Sequence, residues 1–156
     1  MPATRLSPDE CDMLGPLPTA VDSDRVRLYR CECTGGAAFV RRAVLALSRG
    51  RAVALGNHVF LPEGAERDPA TLAHELTHCG QYQAWGPWRY FTRGAAVQLR
   101  DLLHRTLGVG ESPYRYVPGK AFEEYGMEQQ GQIVEDAARG VARAREIMAA
   151  HLARGK

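Results

Sequence analysis

The sequence predicts an α+β fold: one mostly helical domain over residues 1–156, with a small antiparallel sheet packed on a central helix. Three observations predict it. The chain has 156 residues, 45% hydrophobic and 24% charged, which is one soluble domain's worth with enough apolar surface for a single core. Apolar residues recur at helical spacing in several long stretches, whereas strand-like alternation is confined to the first half. Gly and Pro punctuate the stretches, and there is neither an internal repeat nor a linker.

Each element has a local reason. Ser7-Pro8 starts a short helix, Ser7 as cap and Pro8 in the first turn, which Gly15-Pro16-Leu17-Pro18 ends. Asp24–Arg30 alternates polar and apolar, as a half-buried strand does. After Gly35-Gly36, residues Phe39, Val40, Ala43, Val44 and Leu47 are spaced for one buried helix face, with Gly50 as its stop. Arg51–Leu55 and His58–Leu61 form a hairpin across Gly56-Asn57, both of which tolerate positive φ. Asp68-Pro69 opens a helix that runs to about Ala84, where Gly86-Pro87 breaks it. A further helix covers Trp88–Leu107, burying Phe91, Ala95, Leu99, Leu102 and Leu103. After the aromatic loop Tyr114–Lys120, a last helix runs from Phe122 or Tyr125 to Leu152, with Met127, Val134, Ala138 and Val141 as its buried stripe.

Charge and composition exclude several classes. Net +2 arises from 20 basic against 18 acidic residues, interspersed along the chain. No basic run is interleaved with stacking aromatics, which argues against nucleic acid as a partner. No stretch approaches the roughly 18 consecutive apolar residues of a membrane span. The start, Met1–Glu10, lacks the apolar core of a signal peptide, so a cytoplasmic location is expected, with export by a specialised system compatible. Cys31-Glu32-Cys33 has no second pair to complete a four-cysteine metal site and reads as two reduced cysteines at a strand end.

One segment carries chemistry: Leu72-Ala73-His74-Glu75-Leu76-Thr77-His78-Cys79-Gly80-Gln81-Tyr82. It contains H-E-x-x-H. Residues four apart on a helix lie about 40° apart around its axis, so His74 and His78 project from one side and suit a single Zn²⁺. Glu75, about 100° further round, flanks the metal and fits the general base rather than a ligand. A shuffled chain with 5 His and 11 Glu would show the motif roughly once in a hundred trials, so its helical context matters. That context agrees: Leu72, Leu76 and Cys79 form an opposite, core-facing side, and Ala73, Thr77, Gly80 and Ala84 a small-residue flank.

A catalytic zinc takes a third protein ligand. Gln81-Tyr82-Gln83-Ala84-Trp85 follows the motif, which excludes the metzincin continuation. His58, His104 and His151 are the other histidines; the acidic candidates lie in Phe122–Asp136. There Glu128 is the first choice, beside a core Met and close to a glycine that permits helix approach, with Glu124 next and then Glu135. Gln132, one turn on, is the candidate for orienting a ligand histidine. Tyr116, Tyr114, Tyr125 or an arginine is the candidate donor to an oxyanion.

The runs Gly56–Pro62, Leu72–His78 and Gln81-Tyr82 resemble the minigluzincins, small bacterial zinc-peptidase-like domains, and within them the branch found near contractile injection systems and polymorphic toxins. Phe122–Gly131 resembles that branch's second motif, a glutamate in an E-Q-Q-A-like setting, with Gly131 where alanine is frequent. The resemblance spans about residues 51–137 and is more specific in its first motif. It implies a minimal zincin-like fold holding one Zn²⁺, with His74, His78 and Glu128 as ligands and Glu75 as catalytic base. The expected function is a zinc metallopeptidase acting on a peptide or protein substrate through a metal-activated water. The alternative is a zinc-binding, non-proteolytic assembly or cargo module of an injection or toxin system. About 60 residues on either side of the motif helix leave no room for the second lobe of larger gluzincins, so the expected cleft is either shallow or completed by a protein partner.

Overall fold

In a computed structural model, residues 1–154 are described. Ser7 caps α1 (Pro8–Leu14) with a reciprocal capping box, its hydroxyl accepting from Glu10 N while Glu10 accepts from Ser7 N. The chain then forms β1 (Arg27–Tyr29), α2 (Gly35–Leu47), the hairpin β2 (Val53–Leu55) and β3 (His58–Phe60), and the long helix α3 (Pro69–Leu107). Two helices close the fold, α4 (Met127–Ala138) and α5 (Ala142–Arg154). The mostly helical α+β class stands, with one refinement. The three-stranded sheet is mixed in the order β1-β3-β2: the hairpin is antiparallel, but β1 runs parallel to β3. The cause is α2, which carries the chain back across the sheet before the hairpin begins.

The first arm of α3, from Pro69 to Gly86, is the centre of the molecule. Asp68 caps it, accepting from Ala70 N, and Pro69 fills the first turn, where no N–H is needed. Every residue from Leu72 to Gln81 is buried, because the arm is wrapped on two sides. Leu72, Leu76 and Cys79 pack into one cluster with Val26, Leu28, Ala54, Val59 and Leu61 of the sheet region. Ala73 packs into a second cluster with Tyr116, Phe122, Tyr125, Ile133 and Val134 around α4, and with Ala144 and Ile147 of α5. Small residues allow this closeness. A Cβ on Gly80 would lie 2.9 Å from Thr19 Cβ, so the N-terminal segment fits only against a bare backbone.

Gly86 breaks α3 with φ 77° and ψ 166°, the break expected at Gly86-Pro87, and the second arm turns back along the sheet edge, where Tyr90 Oη donates to Ala54 O at 2.9 Å. Three expectations are corrected. Phe91, Ala95, Leu99, Leu102 and Leu103 are exposed, not buried, because among the described residues nothing covers that side of the arm. In α2, Phe39, Val40, Ala43 and Leu47 also face outward, and only Val44 of the expected face is half-buried. The last helix is two helices, separated at Gly140, whose φ of 90° no helix accommodates. Ala138 is consequently exposed and Val141 half-buried, and Ile133, Ala144 and Ile147 supply the core instead. All four cysteines are free; Cys31 Sγ accepts from the Arg41 guanidinium at 3.0 Å.

Candidate metal centre

His74 and His78 occupy successive turns of α3 and face the N-terminal turn of α4, where Glu128 is the second residue. Their Nε2 atoms are 3.1 Å apart, and Glu128 Oε2 lies 3.9 Å from the first and 3.6 Å from the second. One ligand atom from each falls within 4.8 Å of the others. Zinc bonded at about 2.0–2.1 Å in a tetrahedron spaces its ligand atoms by roughly 3.3 Å. Two imidazole nitrogens and a carboxylate oxygen at these separations therefore fit a divalent metal in both chemistry and size.

Each histidine is fixed by its other nitrogen. His74 Nδ1 meets Glu135 Oε2 at 2.9 Å, and His78 Nδ1 meets Gln81 Oε1 at 2.8 Å. With both Nδ1 atoms taken by acceptors, the protons sit there and the Nε2 lone pairs face the shared space. Both props are themselves held. Arg139 bridges Glu135 and Asp68 at 2.8 Å each, tying α4 to the cap of α3. Gln81, fully buried, donates to Met127 O and Gln130 Oε1, while Gln130 donates to Phe122 O and Tyr125 O. No polar atom of the Gln81–Gln130 chain is left unpaired.

Electrostatics match the geometry. Burial alone would raise the Glu128 carboxyl, but the His78 hydrogen bond and the charges of His78, His74 and Arg51 outweigh it and hold the pKa below its ordinary value. Burial likewise works against a proton on His78, yet Glu128, with Glu75 and Gln81, raises its pKa from 6.5 to about 9. Burial dominates at Glu75 and pushes its carboxyl up, against the pull of both histidines and the Ala54 N–H. The sign for stability follows. The metal-free fold binds the His78 proton more tightly than the unfolded chain, so this contribution is full below pH 6.5 and lost as pH rises through about 9. Thermal melting in chelator is expected to show Tm falling between pH 6.5 and 9, and a metal-loaded sample, in which the metal replaces that proton, to lose this slope.

Among the residues predicted from sequence, the structure brings together His74, Glu75, His78 and Glu128. It does not bring Gln132, whose amide donates to Asp136 Oδ1 at 2.9 Å; Glu135 stands at His74 instead. Tyr116 is buried and donates to Asp136 Oδ2 at 2.7 Å, and Tyr125 donates to Val117 O, so both hydroxyls are committed to packing the 114–125 loop. Burial, with the Glu128 charge, raises the Tyr114 hydroxyl above its ordinary value, and the Arg51 guanidinium lies 5.8 Å from its ring centre. Glu124 is exposed and accepts from Ala121 N. His58, His104 and His151 lie elsewhere, against Tyr29 Oη, Gly110 O and Pro18 O. Glu128→Ala is expected to abolish stoichiometric metal binding and Glu124→Ala to leave it intact, by elemental analysis of the purified proteins. The reverse would remove Glu128 from the centre.

A helix-borne histidine pair joined by a glutamate from the next helix defines a buried candidate metal centre. Residues 35–86, from α2 through the hairpin to the end of the first arm of α3, match the family model of the eCIS core domain, the extracellular contractile injection system core. The match associates this stretch, and both histidines with it, with contractile injection systems. No curated protein and no solved structure matches the chain.

Proposed function

We propose that this chain is a zinc-dependent metallopeptidase, with His74, His78 and Glu128 holding the ion and Glu75 as general base. The observation that carries the reading is the convergence of two oriented Nε2 atoms and one carboxylate oxygen within 4.8 Å, with the buried Glu75 carboxyl in the same motif. Zinc bound there would supply Lewis acidity and a more acidic water.

The chain's own residues supply the rest. Glu135 and Gln81 keep both imidazoles in the ligating tautomer. Glu75 takes a proton from the attacking water on its carboxylate and returns it to the departing amine; burial raises its proton affinity above that of an ordinary glutamate. Arg51, whose charge helps to hold the Glu128 carboxyl down, and Tyr114 under the Arg51 guanidinium are the donors for charge developing on the scissile carbonyl oxygen.

A second reading has its own support. The eCIS core match spans the motif helix, and the three ligands are nearly enclosed, which suits a metal-stabilised assembly or cargo module of an injection system. The two are separated by incubating zinc-loaded protein with a mixed peptide library, followed by mass spectrometry, with a chelated sample and a reloaded one alongside. Cleavage lost on chelation and restored on reloading supports the peptidase. Stoichiometric zinc with no cleavage, and a melting temperature that rises on loading, supports the module.

A further inference from the structure

The second arm of α3 carries a feature that the metal centre does not use. Beyond Gly86 the helix places Trp88, Phe91, Ala95, Leu99, Leu102 and Leu103 within a stripe about 120° wide. All six are exposed: Trp88 by 81%, Leu99 by 57%, Leu102 by 51% and Phe91 by 49%. The opposite side of the same arm is inside, with Tyr90 and Asp101 buried. The stripe is therefore a deliberate outward face on a docked helix, some 30 Å long over about 20 residues.

Charge says what the face meets. Between Trp88 and Leu107 there are four arginines (89, 93, 100 and 105) and one acid, Asp101, a net of +3 in a chain whose total is +2. Asp101 is paired with Arg105 at 2.8 Å, and Arg93 lies 4.4 Å over the Trp85 ring. Arg89 and Arg100 have no ion-pair partner among the described residues, and at 100° per residue they fall with Arg93 along one flank of the stripe. Both tryptophans of the chain, Trp85 and Trp88, sit at the kink end. A convex apolar rod with a cationic flank and an aromatic end has the build of a helix lying in a membrane interface. A folded protein partner would need a groove shaped to this rod. A nucleic acid would leave the central leucines with nothing apolar to contact.

We propose that the second arm of α3 is a docking surface for an anionic lipid bilayer, lying flat with Trp88, Phe91, Leu99 and Leu102 in the acyl boundary and Arg89 and Arg100 among the headgroups. The surface is independent of the metal centre, so a Glu75→Gln protein is expected to dock as the parent does.

The test is sedimentation of the full chain with vesicles of phosphatidylcholine alone and with one quarter phosphatidylglycerol. Binding is expected only to the second, to weaken in 0.5 M NaCl, and to shift the Trp88 emission to shorter wavelength. Arg89→Ala/Arg100→Ala is expected to weaken it about thirtyfold, at the contribution each basic residue makes near an anionic surface. Leu99→Asp/Leu102→Asp is expected to weaken it at least tenfold. All four positions are exposed, so unchanged melting temperature and metal content keep the comparison valid. Absence of binding to anionic vesicles overturns the proposal, as does binding that the double aspartate variant leaves unchanged. So does a dimer in light scattering that this variant dissociates, which would show a second copy on the face.

Discussion

Glu75→Gln is expected to keep its metal and to lose peptide cleavage by roughly 10²–10⁴-fold in kcat/KM, the range general-base catalysis supplies. The substitution changes no volume, and its amide oxygen can still accept from the Ala54 N–H that faces the carboxylate. The candidate ligands His74, His78 and Glu128 are untouched. It also removes an ionisable group from a site where burial disfavours the charge, so the melting temperature is expected to hold or rise. Metal content, kcat/KM and Tm measured on one preparation separate these effects. Undiminished cleavage would exclude Glu75 as the base, and lost metal would mean it holds the site together rather than acting in it.

What could be read ahead of the structure divides along physical lines. The spacing of His74 and His78 is a property of one helix, and local periodicity fixes which side both occupy. The joining of α4 to α3 depends on a crossing angle that no local pattern encodes. Gln132 and Glu135 show the consequence: four and seven residues after Glu128, they lie about 40° and −20° from it around α4, and either could have met His74. The crossing selected Glu135, whose second oxygen is anchored by Arg139. The hydrogen bond from His78 to Gln81 spans only three residues, and the signal for it was a glutamine one turn beyond His78 on the histidine side of the helix.

The apolar faces of α2 and the second arm of α3 failed for a different reason. Periodicity identifies that a helix has a face; it does not say that this chain covers it. Phe39, Leu47, Phe91 and Leu99 obey the pattern and lie in solvent. The parallel pairing of β1 with β3 is likewise non-local. Each alternating stretch announced a strand, but the neighbour of β1 was decided by the path of α2.

Gly131→Ala sets two opposing effects against each other at the candidate metal centre. Helix propensity alone favours alanine by about 0.8–1 kcal/mol within α4. Against that, a Cβ at Gly131 would stand 2.8 Å from His74 Nε2 and 3.0 Å from Cδ2 and Cε1. The ring has little room to retreat, because Nδ1 is held by Glu135 and Nε2 already lies 3.1 Å from that of His78. Forcing a carbon into such a contact costs about 1–3 kcal/mol, so the clash outweighs the propensity gain. It falls on a candidate ligand atom, and metal affinity is expected to drop by roughly 10–100-fold, as it does when a histidine's support is disturbed. Gly131 thus permits the close approach of α4 to the motif helix. Competition with a chelating dye reads the affinity, and thermal melting of the metal-free protein reads the packing. A variant that melts higher and binds as tightly would mean α4 can move away from His74, and that Gly131 is not what admits it.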